Sequence, residues 1–284
     1  MGASTRAVPL PLMVAPLTSS SAASAAEISE RALALLPPAP VDEPVAPAEH
    51  LLPQRIGPPG TRAYPQNVAD RPVPRLGAQP WLISEEWEKR HERQCKAFKR
   101  DEAKVVFLGD SITDAWRMSP SYREHFGKYS PLNLGIHGEY TQNLLWRIEH
   151  GALDGLTPAA VVVMIGINNL AGGFSPPETA SGVRAVVTAV RKRLSGTPVL
   201  LLSILPAQES PESPLRRKII ETNRLISGLA APGVTVQDVG FVLLEPDGRI
   251  TKAILRDFLH PTDTGYQRLS GAVAPLLGRI IPQG

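Results

Sequence analysis

The sequence has very little cysteine and no long apolar run, and both absences exclude classes of protein. Its 284 residues include one cysteine, Cys95, which excludes an intramolecular disulfide framework and a zinc site built from four cysteines. No run of 18 apolar residues occurs, so we predict no membrane-spanning helix. Charge of one sign is also scarce, because 30 Lys+Arg against 27 Asp+Glu leave a net charge of +3. A field this weak does not favour nucleic acid as a partner.

Signatures of several common enzyme classes are missing as well. The chain contains no G-x-G-x-x-G, no G-x-x-x-x-G-K-[ST], no H-E-x-x-H, no G-x-S-x-G and no S-x-x-K. These absences weaken assignment to the dinucleotide-binding proteins, P-loop NTPases, zincins, α/β-hydrolases and β-lactamases. We predict no metal ion and no organic cofactor.

Proline divides the chain into an N-terminal part and a remainder of different texture. Of the 29 prolines, 15 fall within residues 1–80, and proline-rich runs can hold neither a helix nor a central strand. From about residue 81, charged and regularly spaced apolar residues replace them. We therefore predict three segments: a targeting segment or disordered tail at 1–36, a Pro-rich linker or surface strap at 37–80, and a globular domain at 81–284.

Residues 1–26 have some features of a targeting peptide. They contain no acidic residue, and Ala23-Ser24-Ala25 fits a small-x-small cleavage site. Pro9, Pro11 and Pro16 interrupt the apolar part, which argues against a secretory signal. An organellar transit peptide and a disordered tail are the alternatives. The compartment therefore stays open: exported or organellar if this segment is a targeting peptide, and cytoplasmic otherwise.

Short apolar runs alternate with helical patterns after residue 81, and this alternation predicts the fold class. The runs are rich in Val, Ile or Leu and most end near Gly, Asn or Pro, as strands do. We expect strands at 104–109, 130–134, 160–166, 198–205 and 234–239. Helices between them indicate a three-layer α/β/α sandwich with a parallel five-stranded sheet. In such folds ligands bind at the carboxyl ends of the strands.

Four helices have clear sequence signals. Residues 81–99 carry spaced apolar positions, and Ser175-Pro176-Pro177-Glu178 is a capping box that begins a second helix. In the third helix, 215–229, we expect Ile219, Ile220, Asn223 and Ile226 to share one face. The fourth, 264–281, groups Leu269, Val273, Leu276 and Ile280.

Candidate catalytic groups follow the predicted strands or lie near the C-terminus. Ser111 follows the first strand in Gly109-Asp110-Ser111 and begins a helix. Its hydroxyl could act as a nucleophile, or Asp110 or Ser111 could merely be the N-cap of that helix. Gly138 and Asn168, in the loops after the second and third strands, could offer an N–H and a side-chain amide to an oxyanion, or could belong to plain turns. Asp257 and His260 could form a general-base pair, or a loop histidine beside a capping aspartate. Together they supply every part of acyl transfer.

These motifs resemble the four blocks of the SGNH (GDSL-like) hydrolase superfamily. Ser111 stands in Gly-Asp-Ser, Gly138 and Asn168 match the Gly and Asn blocks, and Asp257 with His260 match Asp-x-x-His. Within the superfamily, the sequence over roughly 100–282 resembles the catalytic subunits of intracellular platelet-activating-factor acetylhydrolase, notably at Asn133–Gly138, Val161–Asn169 and Asp257–His260. The stretch Gly-Asp-Ser-Ile-Thr followed by a Trp is similar to bacterial acetylesterases.

The resemblance implies a flavodoxin-like sandwich and a serine esterase that removes short acyl groups, most often acetyl. It implies a catalytic triad of Ser111, His260 and Asp257, with an oxyanion hole formed by the N–H groups of Ser111 and Gly138 and the side chain of Asn168. The partner would be a small acyl ester, such as an acetylated lipid or carbohydrate, and the resemblance also points to a homodimer. A lysophospholipase or thioesterase of the same fold, or a scaffold that lost activity, are the alternatives.

Some residues depart from the superfamily pattern. Position 169 is Asn where many relatives have Asp, and His137 and Glu139 flank Gly138 where the acetylhydrolase subunits have other neighbours. The long N-terminal region has no counterpart that we can place. These differences leave the acyl acceptor open but not the chemistry.

Overall fold

We examined a computed structural model of the chain. It describes Tyr64 and residues 67–77, 83–97 and 100–281, all of which belong to one compact unit. The targeting segment predicted at 1–36 lies outside the described residues, as does most of the predicted linker. In the part of the chain that the structure describes, no helix combines the length and apolar character that crossing a bilayer requires.

A five-stranded parallel sheet forms the centre of the molecule. Its strands are β1 (Val105–Gly109), β2 (Pro131–Asn133), β3 (Ala160–Met164), β4 (Val199–Leu202) and β5 (Val234–Gln237). They lie in the order β2-β1-β3-β4-β5, with Val105 paired to both Pro131 and Ala160. The chain places β2 on one side of β1 and then β3, β4 and β5 on the other side. This change of side between β1 and β3 opens a crevice at the carboxyl ends of the strands. Each strand lies within its predicted span, and the predicted fold class is confirmed.

Helices cover both faces of this sheet. In chain order they are α1 (Ser84–Cys95), α2 (Ser111–Trp116), α3 (Pro120–Phe126), α4 (Thr141–Glu149), α5 (Ile167–Ala171), α6 (Pro176–Arg193), α7 (Pro214–Ser227) and α8 (Asp263–Ile280). Short 3₁₀ turns occur at Arg100–Glu102, Gly127–Tyr129 and Gly240–Leu243. The sequence patterns predicted α1, α6, α7 and α8. The strand-to-helix turn predicted at Ser111 is the start of α2. The patterns did not predict α3 to α5, which are too short for a clear apolar period.

Alternate residues of β1 face opposite layers of the core. Val105 and Phe107 pack with the layer that contains α2, α3 and α8, whereas Val106 and Leu108 pack with the layer that contains α4 and α6. All five residues of β1 are buried, because helices cover both faces of a parallel sheet. This burial on both faces fixes the position of β1, the strand that precedes Ser111.

Helix signals in the sequence were accurate in detail, with one exception. The predicted capping box forms, since the Glu178 N–H donates to Ser175 Oγ and Glu178 Oε2 accepts from the Ser175 N–H at 2.8 Å. In α7 the predicted face holds for Ile219, Ile226 and Asn223, which bonds the backbone of Ile204. The prediction that Ile220 shares this face is wrong, because Ile220 is 60% exposed. It follows Ile219 by about 100° around the helix, which takes its side chain away from the sheet.

Residues 67–77, which we call the strap, lie against the start of α4. Thr141 Oγ1 donates to the carbonyl oxygen of Ala69 at 2.7 Å, and the Val73 N–H donates to the carbonyl oxygen of Gln142 at 3.1 Å. Gly182 of α6 has no room for a side chain, because a Cβ there would lie 2.6 Å from the Ala69 carbonyl oxygen. The strap is therefore fitted closely to the domain at the end of the sheet where the crevice opens.

Candidate active site

Ser111, His260 and Asp257 form a continuous row of hydrogen bonds. Ser111 begins α2 directly after β1, and the other two lie in the loop before α8. Ser111 Oγ is 2.9 Å from His260 Nε2, and His260 Nδ1 is 2.7 Å from Asp257 Oδ2. Because an ionised carboxylate only accepts, the proton belongs on Nδ1, which leaves Nε2 to accept from the serine hydroxyl. The tertiary fold thus brings together residues 149 positions apart in the sequence.

Asp257 is held in place by its own loop. Its Oδ1 accepts from the N–H groups of His260 at 2.7 Å and Leu259 at 3.1 Å. Burial by itself would raise the pKa of Asp257, but its hydrogen bond and charge interaction with His260, together with these two N–H groups, bring the pKa below the usual range. The carboxylate is therefore ionised, and both of its oxygens are engaged in fixing His260.

The turn that presents Ser111 is stabilised by Asp110. The Asp110 side chain caps α2, because its Oδ1 accepts from the Ile112 N–H at 3.0 Å. Burial raises the pKa of Asp110 to about 7. Of the two residues predicted as possible caps, Asp110 is the one that caps the helix, and the Ser111 hydroxyl is left for His260.

The loop that contains Gly138 runs beside α2. At Gly135 a Cβ would lie 2.5 Å from the backbone nitrogen of Asp114, so only glycine allows this close approach. Gly138 itself has a φ of +66°, in the left-handed region that favours glycine. The Nε2 of His137 lies 2.7 Å from Asp114 Oδ2, and its side chain is 44% exposed. Arg90 and Arg117 bond the same Asp114 carboxylate.

Asn168 reaches the Gly138 loop from the end of β3. Its Nδ2 donates to the carbonyl oxygen of Glu139 at 3.0 Å. A primary amide has two N–H groups, so one remains for a ligand. Asn169 points into the protein instead, where it bonds Thr141 through both its oxygen and its nitrogen. Position 169, where this sequence departs from the superfamily pattern, therefore makes a structural contact with α4.

Sequence reasoning missed a buried ion pair behind this loop. Glu139 Oε2 and Arg147 Nη1 are 2.6 Å apart, and both side chains are inaccessible to solvent. The pair has additional partners, since Trp87 donates to Glu139 Oε1 and Arg147 Nη2 donates to the Leu134 carbonyl oxygen. The separation of eight residues between Glu139 and Arg147 is no known signal of contact, because a loop and a helix start intervene.

An apolar cavity of about 400 Å³ adjoins the row of polar groups. Asn168 and Leu259, the neighbour of His260, both line it, and one lysine, Lys218, stands among otherwise mostly apolar walls. Its lining residues are Ile167, Asn168, Leu170, Ala171, Ala207, Gln208, Pro214, Leu215, Lys218, Phe258 and Leu259. Gln208 and Phe258 have positive φ values of 66° and 62° and are joined by a 2.7 Å backbone hydrogen bond. Backbone strain of this kind is concentrated at functional sites.

Two tryptophans near the motifs, Trp116 and Trp146, pack against other aromatic rings. Trp116 is buried and stacks on Tyr266, and Trp146 packs against Trp87 and His150. Within the described residues, no three His, Cys, Asp or Glu side chains converge as metal ligands would.

Comparison with known proteins agrees with this geometry. Residues 107–268 match the model of the GDSL-like Lipase/Acylhydrolase family. The human platelet-activating factor acetylhydrolase IB subunit alpha1 is 33% identical over 220 residues, which cover 77% of this chain and 93% of that protein. The Drosophila melanogaster subunit beta homolog is 32% identical over 197 residues, covering 69% of this chain and 86% of the homolog.

Solved structures agree about the fold. A GDSL-like lipase from Bacteroides thetaiotaomicron superposes with a TM-score of 0.56 at 22% identity, over 67% of this chain and 97% of that one. An ordered row of Ser, His and Asp, the parallel sheet beneath it and the extent of the sequence match all agree. The chain therefore belongs to the GDSL-like lipase/acylhydrolase family and is a hydrolase of the carboxylic-ester type.

Proposed function

We propose that the protein is a serine esterase that hydrolyses short acyl esters, acetyl esters above all, through Ser111, His260 and Asp257. The row of hydrogen bonds from Ser111 Oγ through His260 to Asp257 carries this proposal. The relatives named as acetylhydrolase subunits support acetyl as the acyl group. The substrate would be an acetylated lipid or an acetylated carbohydrate. The proposal assigns catalysis to residues 81–284.

In the first half of the reaction, His260 Nε2 takes the proton of Ser111 Oγ as that oxygen attacks the ester carbonyl carbon. The carbonyl oxygen becomes an oxyanion, for which the N–H groups of Ser111 and Gly138 and the free N–H of Asn168 Nδ2 are the proposed donors. Asp257 stabilises the imidazolium that forms. His260 then gives the proton to the departing alkoxide, and the acyl group stays on Ser111.

In the second half, His260 Nε2 takes a proton from water, and the hydroxide attacks the acyl-enzyme carbonyl. The same donors hold the second oxyanion. Collapse breaks the bond to Ser111 Oγ, which recovers its proton from His260 and releases the carboxylic acid. The Ser111 proton moves between two groups already in hydrogen-bond contact, and none of these steps requires a cofactor.

Hydrolysis of p-nitrophenyl acetate, butyrate and octanoate tests the proposal. We expect the wild type to cleave the acetate ester fastest and Ser111→Ala to abolish the activity. Ser227→Ala, at an exposed serine at the end of α7, is the matched control and should retain full activity. Persistent hydrolysis by Ser111→Ala would place the nucleophile elsewhere, and a preference for octanoate would favour a lysophospholipase or thioesterase.

A fluorophosphonate probe separates an enzyme of narrow selectivity from a scaffold. The probe reacts with an activated serine without needing the natural alcohol, so we expect it to label Ser111. Peptide mapping of the adduct identifies the residue. An unlabelled protein that is inert toward all three esters would show that the fold has been kept without the activity.

The homodimer stays a prediction, which sedimentation equilibrium would test.

A further inference from the structure

Arg75 of the strap is a buried arginine that the proposed mechanism does not use. Arg75 is 4% exposed. Its Nη1 donates to the carbonyl oxygen of His137 at 2.9 Å, and its Nη2 donates to the carbonyl oxygen of Gly138 at 3.2 Å. Placing a guanidinium group out of water is costly unless its donors are used. Here Nη1 and Nη2 donate to two successive carbonyl oxygens of the loop that contributes Gly138, and Nε has no hydrogen-bond partner among the described residues.

The geometry of the peptide bond connects this contact to the oxyanion hole. The carbonyl of His137 and the N–H of Gly138 belong to the same planar peptide unit. A cation bound to that oxygen fixes the plane of the unit, and therefore the direction of the N–H. It also polarises the unit, which makes the N–H a stronger donor. One contact can thus both aim and strengthen the donor.

Glycine at position 138 makes such a hold necessary. With φ at +66° and no Cβ, the backbone here has access to other conformations at little cost. Rotation of the His137–Gly138 peptide would turn a carbonyl oxygen, in place of the N–H, toward the reacting ester. Asn168 and Arg147 restrain the next residue, Glu139, through its carbonyl oxygen and its side chain. Arg75 restrains the two carbonyls that precede it.

We propose that Arg75 is a positioning residue that holds the Gly138 N–H in the orientation needed to stabilise the oxyanion. This inference rests on the proposed esterase function and adds the strap to the catalytic apparatus. The strap lies outside residues 107–268, the part matched by the family model. A segment that precedes the family domain therefore completes its active site.

Steady-state kinetics of Arg75→Ala on p-nitrophenyl acetate test the proposal. Misplacement of an oxyanion donor affects the transition state more than the bound substrate. We expect kcat to fall about 10- to 100-fold while KM changes less than about threefold. Affinity for a trifluoromethyl ketone, which forms an oxyanion on the serine, should fall in proportion to kcat/KM. Arg71→Ala, an exposed arginine of the same strap, should leave kcat and KM unchanged.

Two further variants separate positioning from simple docking of the strap. Tyr64→Phe removes the hydroxyl that bonds Asn143 and accepts from the N–H of Leu76. It therefore weakens the attachment of the strap to the domain but leaves the Arg75 side chain its two carbonyl partners. It should lower the melting temperature but leave kcat near the wild-type value. Arg75→Lys keeps a cation that can reach one carbonyl, and its kcat should lie between those of the wild type and Arg75→Ala. If Arg75→Ala does not fold, Arg75→Lys carries the test.

Several results would overturn the inference. One is a kcat for Arg75→Ala within about twofold of the wild type. Another is a rise in KM for Arg75→Ala with no change in kcat. A third is a loss of kcat in Tyr64→Phe equal to that in Arg75→Ala when the two variants have the same melting temperature. Arg75→Lys no better than Arg75→Ala would remove the role of the charge. Failure of the proposed function is distinct, because Ser111→Ala would then match the wild type whatever residue 75 is.

Discussion

Replacing Asp257 by Asn should nearly abolish turnover while leaving the fold intact. The carboxylate uses Oδ1 for two backbone N–H groups, those of Leu259 and His260, and Oδ2 for His260 Nδ1. An asparagine is the same size, but only one of its two positions is an oxygen. The backbone N–H groups, at 3.1 and 2.7 Å, bind that oxygen, so the amide nitrogen faces His260 Nδ1.

The consequence is the wrong tautomer of His260. Nδ1 must then accept a hydrogen bond from the asparagine amide, so the proton moves to Nε2. A protonated Nε2 cannot take the proton of Ser111 Oγ, 2.9 Å away. The equivalent change in other Ser-His-Asp enzymes lowers kcat about 10⁴-fold, which corresponds to about 5.4 kcal/mol of lost transition-state stabilisation. We expect a loss of this size here, with KM little changed.

The assay is steady-state hydrolysis of p-nitrophenyl acetate, with the melting temperature measured in parallel. Asp263→Asn is the matched control, because Asp263 is exposed in the first turn of α8, six residues further along the same chain segment. It should keep full activity. A loss of less than about tenfold in a folded Asp257→Asn protein would refute the assignment of Asp257 as the group that orients His260.

Three further predictions follow from other contacts of the site. Asn168→Ala should lower kcat about 10²- to 10³-fold with unchanged circular dichroism, and an unchanged rate would remove Asn168 from the mechanism. Gly135→Ala should destabilise the protein by about 1–3 kcal/mol in urea unfolding, because the new methyl group would lie 2.5 Å from the backbone nitrogen of Asp114. Arg147→Met should cost about 3–5 kcal/mol, since it leaves the buried carboxyl group of Glu139 without its cationic partner. A double variant that also carries Glu139→Gln should recover part of that stability, and no recovery would contradict the ion-pair argument.

Sequence patterns were sufficient for the layered architecture because the signals are local. A strand buried on both faces must be apolar along its whole length, as β1 and β3 are. The capping box at Ser175 marks the first turn of α6 by hydrogen bonds within four residues. Helices α3 to α5 escaped prediction, since helices this short show no clear apolar period. The exposure of Ile220 depends on which side of α7 meets the sheet.

The candidate site could be assembled from the sequence only as far as motif order allowed. Ser111, Gly138, Asn168, Asp257 and His260 were each identified from the loop in which it stands and from the resemblance between blocks. Their catalytic roles remain predictions until the variants are measured. The structure adds the distances between them, which depend on strand order and on the packing of α8 against the sheet.

The sequence by itself determined the fold class and the candidate catalytic residues, because strand burial, helix capping and short motifs are properties of neighbouring residues. Only the tertiary structure decided what holds those residues in place. Arg75 lies 62 positions from the carbonyl of His137, and Glu139 meets Arg147 only where a loop folds back on the following helix. Contacts of this kind have no local signal, since a buried charge is stabilised by partners that folding brings to it from elsewhere in the chain.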